Sequence, residues 1–446
     1  MSRHARALEQ LGIPTVAAAG ANVVNYARGY DFEYTNGMPI RYVGFPFPVA
    51  GQPKSVHHSY VFERNDVVSD KPMMQTIVDH LTVPLTSQEK ISGRPPDAKP
   101  EPRLLQPATE DALQQLFKDN DWTDYNPIIL PTEARVAAML RGTSLSADKV
   151  VSTLNWPGGN REMTVEKVAV CAVMAGAKPE HFPLILAVSR SVPFGNSTSS
   201  MANMILVNGP IRNEIKMNSK LNVMGPHNEV NAVVGRAFTL LSKTAGNLHS
   251  GVTTFSALGS NIQYNNLCIA ENEEDLPAGW DPQHVVNGNK PTDNIVTIGT
   301  GWSYISSVGE VQRQYPPQYL IRDYMRSLTG MGATIVVAPE VAEILHDSQG
   351  FNTKRELGTW LAENVKKTVS SYWGNGVIST MNASLAIQGL PPYGEQYKKL
   401  ETNPEELITT FQPRQVNIVV AGKGQTTWFV TDFGVGGRGT KIDDYK

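Results

Sequence analysis

The stretch MILVNGPIRNEIKMNSKLNVMGPHNEVNAVVGRAFTLLSKTAG, from Met204 to Gly246, decides the fold that we predict for this chain. It opens with an apolar run, 204–207, that is short enough for a buried strand. Asn208-Gly209-Pro210 then breaks the strand, as turn residues do. A second break follows at Gly225-Pro226, where Pro226 suits the first position of a helix. Apolar residues then recur at helical spacing, which predicts a helix that buries one face.

Polar side chains crowd the two turns of this stretch. Asn208, Arg212, His227, Asn228 and Asn231 lie within 24 residues of one another. A strand end and a helix N-terminus with cations nearby form a natural site for a small anion. We therefore expect these residues to bind a substrate, with Arg212 holding its carboxylate through two parallel hydrogen bonds. The alternative is that the asparagines only cap helices and form turns.

Length and composition set the class of protein. The chain has 446 residues, of which 41% are hydrophobic and 18% are charged, which is typical of a globular protein with two or three domains. Its net charge of −3 provides no basic field, so we expect no nucleic-acid partner. No apolar run approaches 18 residues, so we expect no membrane partner either. The first 20 residues lack the pattern of a signal peptide.

The N-terminal part predicts a small α/β domain over residues 1–91. Helices are expected at 2–11 and 21–28, and short strands at 12–20 and 41–45, which resembles a doubly wound unit that lacks its first strand. A proline-rich stretch follows, and we place a linker at 92–108.

A larger α/β domain is expected over 109–446. Within it the sequence predicts a helix over 164–176 with Thr164 and Gly176 as its caps. Further strands are expected at 294–298, 333–337 and 416–421, and a further helix at 354–370. The sequence shows no internal repeat.

Three residues are candidates for catalysis. His227 is expected at a helix N-terminus, where the positive helix end keeps an imidazole neutral and able to exchange a proton. Glu271 opens an acidic cluster, 271–275, and could serve as a general base. Cys268 ends a predicted strand and could react as a thiolate, but the neighbouring glutamates disfavour that charge. The alternative for Cys268, as for Cys171, is a packed core residue.

Cofactor and metal motifs are absent from the sequence. The histidines have no carboxylate or cysteine at a recognisable metal-binding spacing, so no metal ligand is assigned. A Walker A motif and a full GxGxxG at a strand–helix junction are both missing, and the cofactor remains unknown. Two cysteines are too few for a disulfide scaffold, although a Cys171–Cys268 bridge stays open, and they favour a cytoplasmic protein.

Residues 131–421, about two thirds of the chain, resemble the UGSC-motif (seleno)proteins and their relatives. The likeness lies in five strings and touches a sixth, the N-terminal GIPTV (12–16). The five are TVEKVAVCAVMAGAKPEHFP (164–183), VNGPIRNEIKMNS (207–219), GPHNEVNAVVGRA (225–237), CIAENEED (268–275) and IVVAPEVAEIL (335–345). The N-terminal part of that family is similar to the selenol subunits of glycine and D-proline reductases. The resemblance therefore implies thiol- or selenol-based chemistry on a small substrate.

The loop that names this family, a selenocysteine- or cysteine-Gly-Ser-Cys sequence, is not found in the chain. We therefore expect an enzyme subunit, an oxidoreductase or a lyase of small-molecule metabolism, acting on a small anionic substrate. A thiol- or selenol-bearing partner subunit, or a homo-oligomer, would complete its site. Two alternatives stay open: a non-catalytic binding or scaffold subunit, and a hydro-lyase that uses only His227 and Glu271.

Overall fold

The computed structural model describes most of the chain. It covers residues 2–21, 39–46, 52–91, 103–154, 161–190, 201–244, 258–307, 309–312 and 314–446, together with Val24, Val49 and Leu248. The expected helix at 21–28 lies largely outside the described residues, and so does the part of the expected linker at 92–102.

The fold is α/β, as the sequence predicted, and its centre consists of two stacked sheets. The first sheet has the strand order β14-β7-β5-β6 and the second has the order β12-β9-β13-β8. Their strands are β5 (Ala202–Asn208), β6 (Leu267–Ala270), β7 (Ile295–Gly301), β8 (Tyr304–Ser306), β9 (Ala333–Val337), β12 (Val416–Val420), β13 (Trp428–Thr431) and β14 (Thr440–Lys441).

Alternation along the strands assigns each side chain to a layer. Met204 and Leu206 of β5 belong to the core between the two sheets, where they join Val336 of β9 and Phe429 of β13. Ile205 points the other way and joins the core on the outer face of the first sheet. Because successive strand residues face opposite sides, a run that is apolar throughout is buried on both faces.

Helices cover the outer faces of both sheets and complete four layers. The first sheet is covered by α7 (Val165–Ala175), α8 (Phe182–Arg190) and α10 (Glu229–Thr244), with the short α9 (Ile211–Glu214) after β5. The second sheet is covered by α12 (Pro317–Met325), α13 (Pro339–Glu343) and α14 (Lys354–Asn364). The short α11 (Gln283–Val286) lies between β6 and β7 in the chain.

The two sheets repeat one topology. In each, a central strand pairs in parallel with the strand that follows its helices, β6 beside β5 and β12 beside β9. The next strand pairs antiparallel on the other side of the central strand, β7 beside β5 and β13 beside β9. The chain then leaves each sheet to form the edge of the other: β8 pairs with β13, and β14 pairs with β7. The amino-acid sequences of the two halves show no corresponding repeat.

Smaller elements flank the two sheets. Before them lie α1 (Ser2–Gln10), β1 (Val16–Gly20), β2 (Arg41–Phe45), α2 (Lys54–Phe62), α3 (Met73–Thr82), α4 (Ser87–Ile91), α5 (Glu110–Asp119), α6 (Glu133–Leu140) and the hairpin of β3 (Val150–Leu154) with β4 (Arg161–Thr164). An insertion between β10 (Lys366–Thr368) and β11 (Leu407–Thr409) carries α15 (Val369–Trp373), α16 (Gly376–Ile387) and α17 (Tyr393–Thr402). The N-terminal strands β1 and β2 pair in parallel.

Local signals placed some helix ends correctly and missed others. The hydroxyl of Thr164 accepts from the Lys167 N–H, and Gly176 closes α7 at φ 87°, both as predicted. The helix predicted at 354–370 begins correctly at Lys354, but its predicted end is wrong, because the helix ends at Asn364 and a strand follows. Helix α10 begins at Glu229 rather than at Pro226, because the preceding residues form a hydrogen-bonded loop.

Candidate functional site

The predicted site residues divide between two places. Asn208, Arg212 and Glu271 meet at the ends of β5 and β6, where they form a buried cluster with Glu273 and Lys354 that we call the junction cluster. A separate cavity is lined by four other predicted residues: His227, Asn228, Asn231 and Cys268. The sequence predicted one pocket for Asn208, Arg212, His227 and Asn228, and nothing in it indicated this division.

Glu271 is enclosed by hydrogen-bond donors. Its carboxylate accepts from the Lys354 ammonium and the Val420 N–H on one oxygen, and from the Asn208 amide (2.7 Å) and the Gln283 N–H (2.6 Å) on the other. The residue is 0% exposed. A carboxylate offers about four acceptor positions, and all four are occupied. Glu271 therefore has no lone pair with which to act as a general base in this arrangement.

Arg212 is enclosed in the same way. Its Nε donates to the Gly209 carbonyl, and its two terminal nitrogens contact the Glu271 carbonyl and the carboxylates of Glu273 and Glu274. A guanidinium has five N–H donors, and here it forms four hydrogen bonds and one further ion-pair contact, to Glu273 at 3.0 Å. Arg212 consequently has no donor left for a substrate carboxylate unless one of these contacts is exchanged.

The junction cluster joins the two halves of the fold. Lys354 is the first residue of α14, which covers the second sheet, whereas Glu271 follows β6 of the first sheet. Their side chains are 2% and 0% exposed. Sequence reasoning missed Lys354, since 83 residues separate it from its partner and no local pattern connects them. It also missed His284, which is fully buried with its Nδ1 at 3.9 Å from Glu273.

The separate cavity, which we call the α10 cavity, measures about 450 Å³ and lies at the start of α10. Its walls combine amides with apolar groups. They are formed by Val223, Met224, Gly225, Pro226, His227, Asn228, Glu229, Asn231, Ala232, Asn265, Asn266, Leu267 and Cys268. The size suits a small organic molecule, which usually binds in a partly apolar cavity with a few polar groups.

Asn228 and Asn231 shape one wall of the α10 cavity. Asn228 donates to the carbonyls of Asn222 and Gly225 and accepts from the Asn218 amide. Asn231 accepts from the Asn218 N–H and donates back to the Asn218 carbonyl. These contacts fix the loop before α10. They also divert the Asn228 side chain from capping the helix, which is the usual role of asparagine at that position.

The N-terminus of α10 is therefore left open. Among the residues that the structure describes, no acceptor binds the N–H groups of Glu229, Val230 or Asn231, whereas the Ala232 N–H already bonds within the helix. The Glu229 carboxylate is drawn to Lys178, at 3.0 Å. Free N–H groups and the helix dipole together favour an anion at this end.

His227 is exposed on the wall of this cavity and has a left-handed backbone, with φ 86°. Such a conformation is uncommon outside glycine and is maintained here by the loop on either side. Within the described part of the chain its ring forms no hydrogen bond or ion pair. His227 is thus the one predicted catalytic residue whose functional atoms stay available.

Both cysteines are free and buried. Burial raises the pKa of Cys171 to about 11, and burial raises the pKa of Cys268 further still. A thiol must lose its proton to become a nucleophile or a metal ligand. Neither cysteine of this chain is therefore poised for thiol chemistry. The two thiols are also not joined by a disulfide, so the bridge that the sequence left open does not form.

A thiol titration checks this conclusion. At pH 8 we expect folded protein to react with Ellman's reagent far more slowly than urea-unfolded protein, which should consume two equivalents. The physical reason is that both thiols are protonated and enclosed. Rapid consumption of one equivalent by the folded protein would instead mean that Cys268 is accessible from the α10 cavity as a thiolate.

Comparison with known proteins adds no assignment: no family model, no curated protein and no solved structure matches the chain. Among the described residues, no group of three or more His, Cys, Asp or Glu side chains is placed to hold a metal ion. In the same part of the chain, no helix combines the length and the apolar character that crossing a membrane requires.

Proposed function

We propose that this chain is an enzyme subunit that binds a small, carboxylate-bearing molecule in the α10 cavity. The observation that carries the proposal is the open N-terminus of α10, where Glu229 and Asn231 line a cavity of about 450 Å³. The substrate carboxylate accepts from these N–H groups, and its apolar part contacts Met224 and Leu267. His227 then lies beside the bound molecule as the group that exchanges a proton.

Lyase chemistry fits these groups more directly than redox chemistry. A lyase step needs an acid or base near the substrate, and His227 supplies one. A thiol-linked redox step would draw its thiol or selenol from a partner subunit, because Cys171 and Cys268 are buried and protonated. The resemblance to the UGSC-motif family supports the second route and the partner.

A matched pair of ligands tests the binding site. Benzoate should bind saturably by calorimetry and at least tenfold more tightly than benzamide, which has the same shape without the charge. Ala232→Phe should abolish benzoate binding, since Ala232 is exposed on the cavity wall. Ala278→Phe, at an exposed position outside the cavity, should leave it unchanged. Equal affinity for the two ligands, or no effect of Ala232→Phe, would contradict the site.

The second candidate is a non-catalytic binding subunit, and the junction cluster favours it. Arg212 and Glu271 are saturated with internal contacts and hold the fold together instead of facing a ligand. The two candidates differ in turnover. An enzyme should convert a member of a panel of 2-hydroxy and 2-amino acids, followed by NMR with and without dithiothreitol, and His227→Ala should stop the conversion while benzoate still binds. A binding subunit should convert none.

A further inference from the structure

A second cavity, of about 560 Å³, lies on the other half of the molecule. It is lined by the C-terminal end of α14, by α15 to α17 of the insertion, and by the segment 409–415, which begins at the last residue of β11. None of the residues that line it belongs to the α10 cavity or to the junction cluster. We call it the insertion cavity.

Aromatic and proline side chains form its walls. Tyr372, Tyr393 and Phe411 line it together with the Pro391-Pro392 pair. Burial first, and then the neighbouring Tyr393, raises the pKa of Tyr372 to about 12, so this hydroxyl stays neutral at physiological pH. The ring faces carry the negative side of the aromatic quadrupole, which attracts organic cations.

The charged side chain that lines the insertion cavity is acidic. Among the lining residues that the structure describes, Glu363 is the only carboxylate, and none is a lysine, arginine or histidine. Glu363 is exposed and has no ion-pair or hydrogen-bond partner within the described part of the chain. Two cations nearby form hydrogen bonds to neutral acceptors: Arg414 donates to Gln412, which lines the cavity, and Lys367 donates to the Leu328 carbonyl. A third, Lys366, is exposed three residues after Glu363.

Helix polarity adds to this charge. Ala362 and Glu363 lie in the last turn of α14, an 11-residue helix that ends at Asn364. The C-terminal end of a helix has a partial negative charge and attracts cations. A carboxylate, a helix C-terminus and aromatic walls thus all favour the same kind of ligand.

We propose that the insertion cavity binds an organic cation, a primary ammonium ion on an apolar body. The ammonium group contacts the Glu363 carboxylate at the end of α14, and the apolar body lies against Tyr372, Tyr393 and Phe411. The site is independent of the α10 cavity and of any reaction there.

Phenethylamine and 2-phenylethanol test this assignment, because they share a shape and differ in charge. At pH 7 and low salt, calorimetry should show saturable binding of phenethylamine, at least tenfold tighter than that of the alcohol. Glu363→Gln should weaken it at least tenfold without changing the melting temperature. Glu401→Gln removes the same charge at an exposed site on α17 outside the cavity and should have little effect.

Three results would overturn the proposal: no saturable binding of phenethylamine, equal binding of the alcohol, or an unchanged affinity in Glu363→Gln. Tyr393→Leu gives a second readout, since loss of a ring face should weaken the amine more than the alcohol. Benzoate binding in the α10 cavity should be the same in every one of these variants. A change in benzoate affinity would show that the two cavities are not separate.

Discussion

Replacing Lys354 by methionine is expected to lower the free energy of unfolding by about 3–5 kcal/mol, because it leaves the Glu271 carboxylate charged and buried without its cation. Both side chains are almost fully enclosed. Methionine keeps the length and the apolar stem of lysine, so the loss reports the charge rather than a cavity. Urea titration followed by tryptophan fluorescence measures the change.

Lys423→Met is the matched control for this substitution. Lys423 pairs with Asp275 at 2.9 Å, but its side chain is 51% exposed, and an exposed pair contributes less than about 1 kcal/mol. Adding Glu271→Gln to Lys354→Met should recover part of the stability, because it removes the unpaired charge. A Lys354→Met variant as stable as Lys423→Met would show that solvent reaches the junction cluster.

Replacing Gly235 by alanine is expected to lower the free energy of unfolding by about 1–3 kcal/mol or more, because a close contact leaves no room for a methyl group. An added Cβ would lie 1.7 Å from the Asn265 carbonyl oxygen and 3.2 Å from the Cys268 Cβ. Alanine favours a helix over glycine by about 1 kcal/mol, but a backbone oxygen cannot rotate away as a side chain can. The steric clash therefore outweighs the gain in helix propensity, and Gly235→Ala should be destabilising.

Gly376→Ala separates the clash from helix propensity. Gly376 begins α16, and no atom of the described residues lies within 4 Å of its added Cβ, so we expect the free energy of unfolding to rise by up to about 1 kcal/mol. Gly235→Ala should also weaken benzoate binding, since Asn265 lines the α10 cavity. If Gly235→Ala is as stable as the parent chain, α10 is not packed against the 265–268 segment as described.

Sequence patterns predicted the elements whose causes are local. Strand β5 follows from one apolar run, and helix α7 from its periodicity and its two caps. The end of α14 at Asn364 was missed, since the hydroxyl of Thr368 caps a new helix by accepting from Ser371, and tertiary pairing makes 366–368 a strand. Intrinsic helix propensity is a weak guide where tertiary contacts determine the secondary structure.

The candidate site was predicted less well because its arrangement depends on distant contacts. The polar residues of 208–231 were identified correctly as a concentration of hydrogen-bonding groups. Their division could not be foreseen, since it depends on Lys354, which approaches Glu271 only when the two sheets stack. The sequence gives residue types, whereas the saturation of Arg212 and Glu271 is a property of the folded geometry.

The exchange of edge strands between the two sheets determines how this part of the molecule can come apart. The chain that leaves β7 becomes β8 at the edge of the second sheet, and the chain that leaves β13 becomes β14 at the edge of the first. The arrangement resembles a domain-swapped dimer within a single polypeptide, because each half contributes the edge strand of the other half's sheet. Neither half can dissociate without stripping a strand from the other. Residues 202–446 should therefore melt as one cooperative unit.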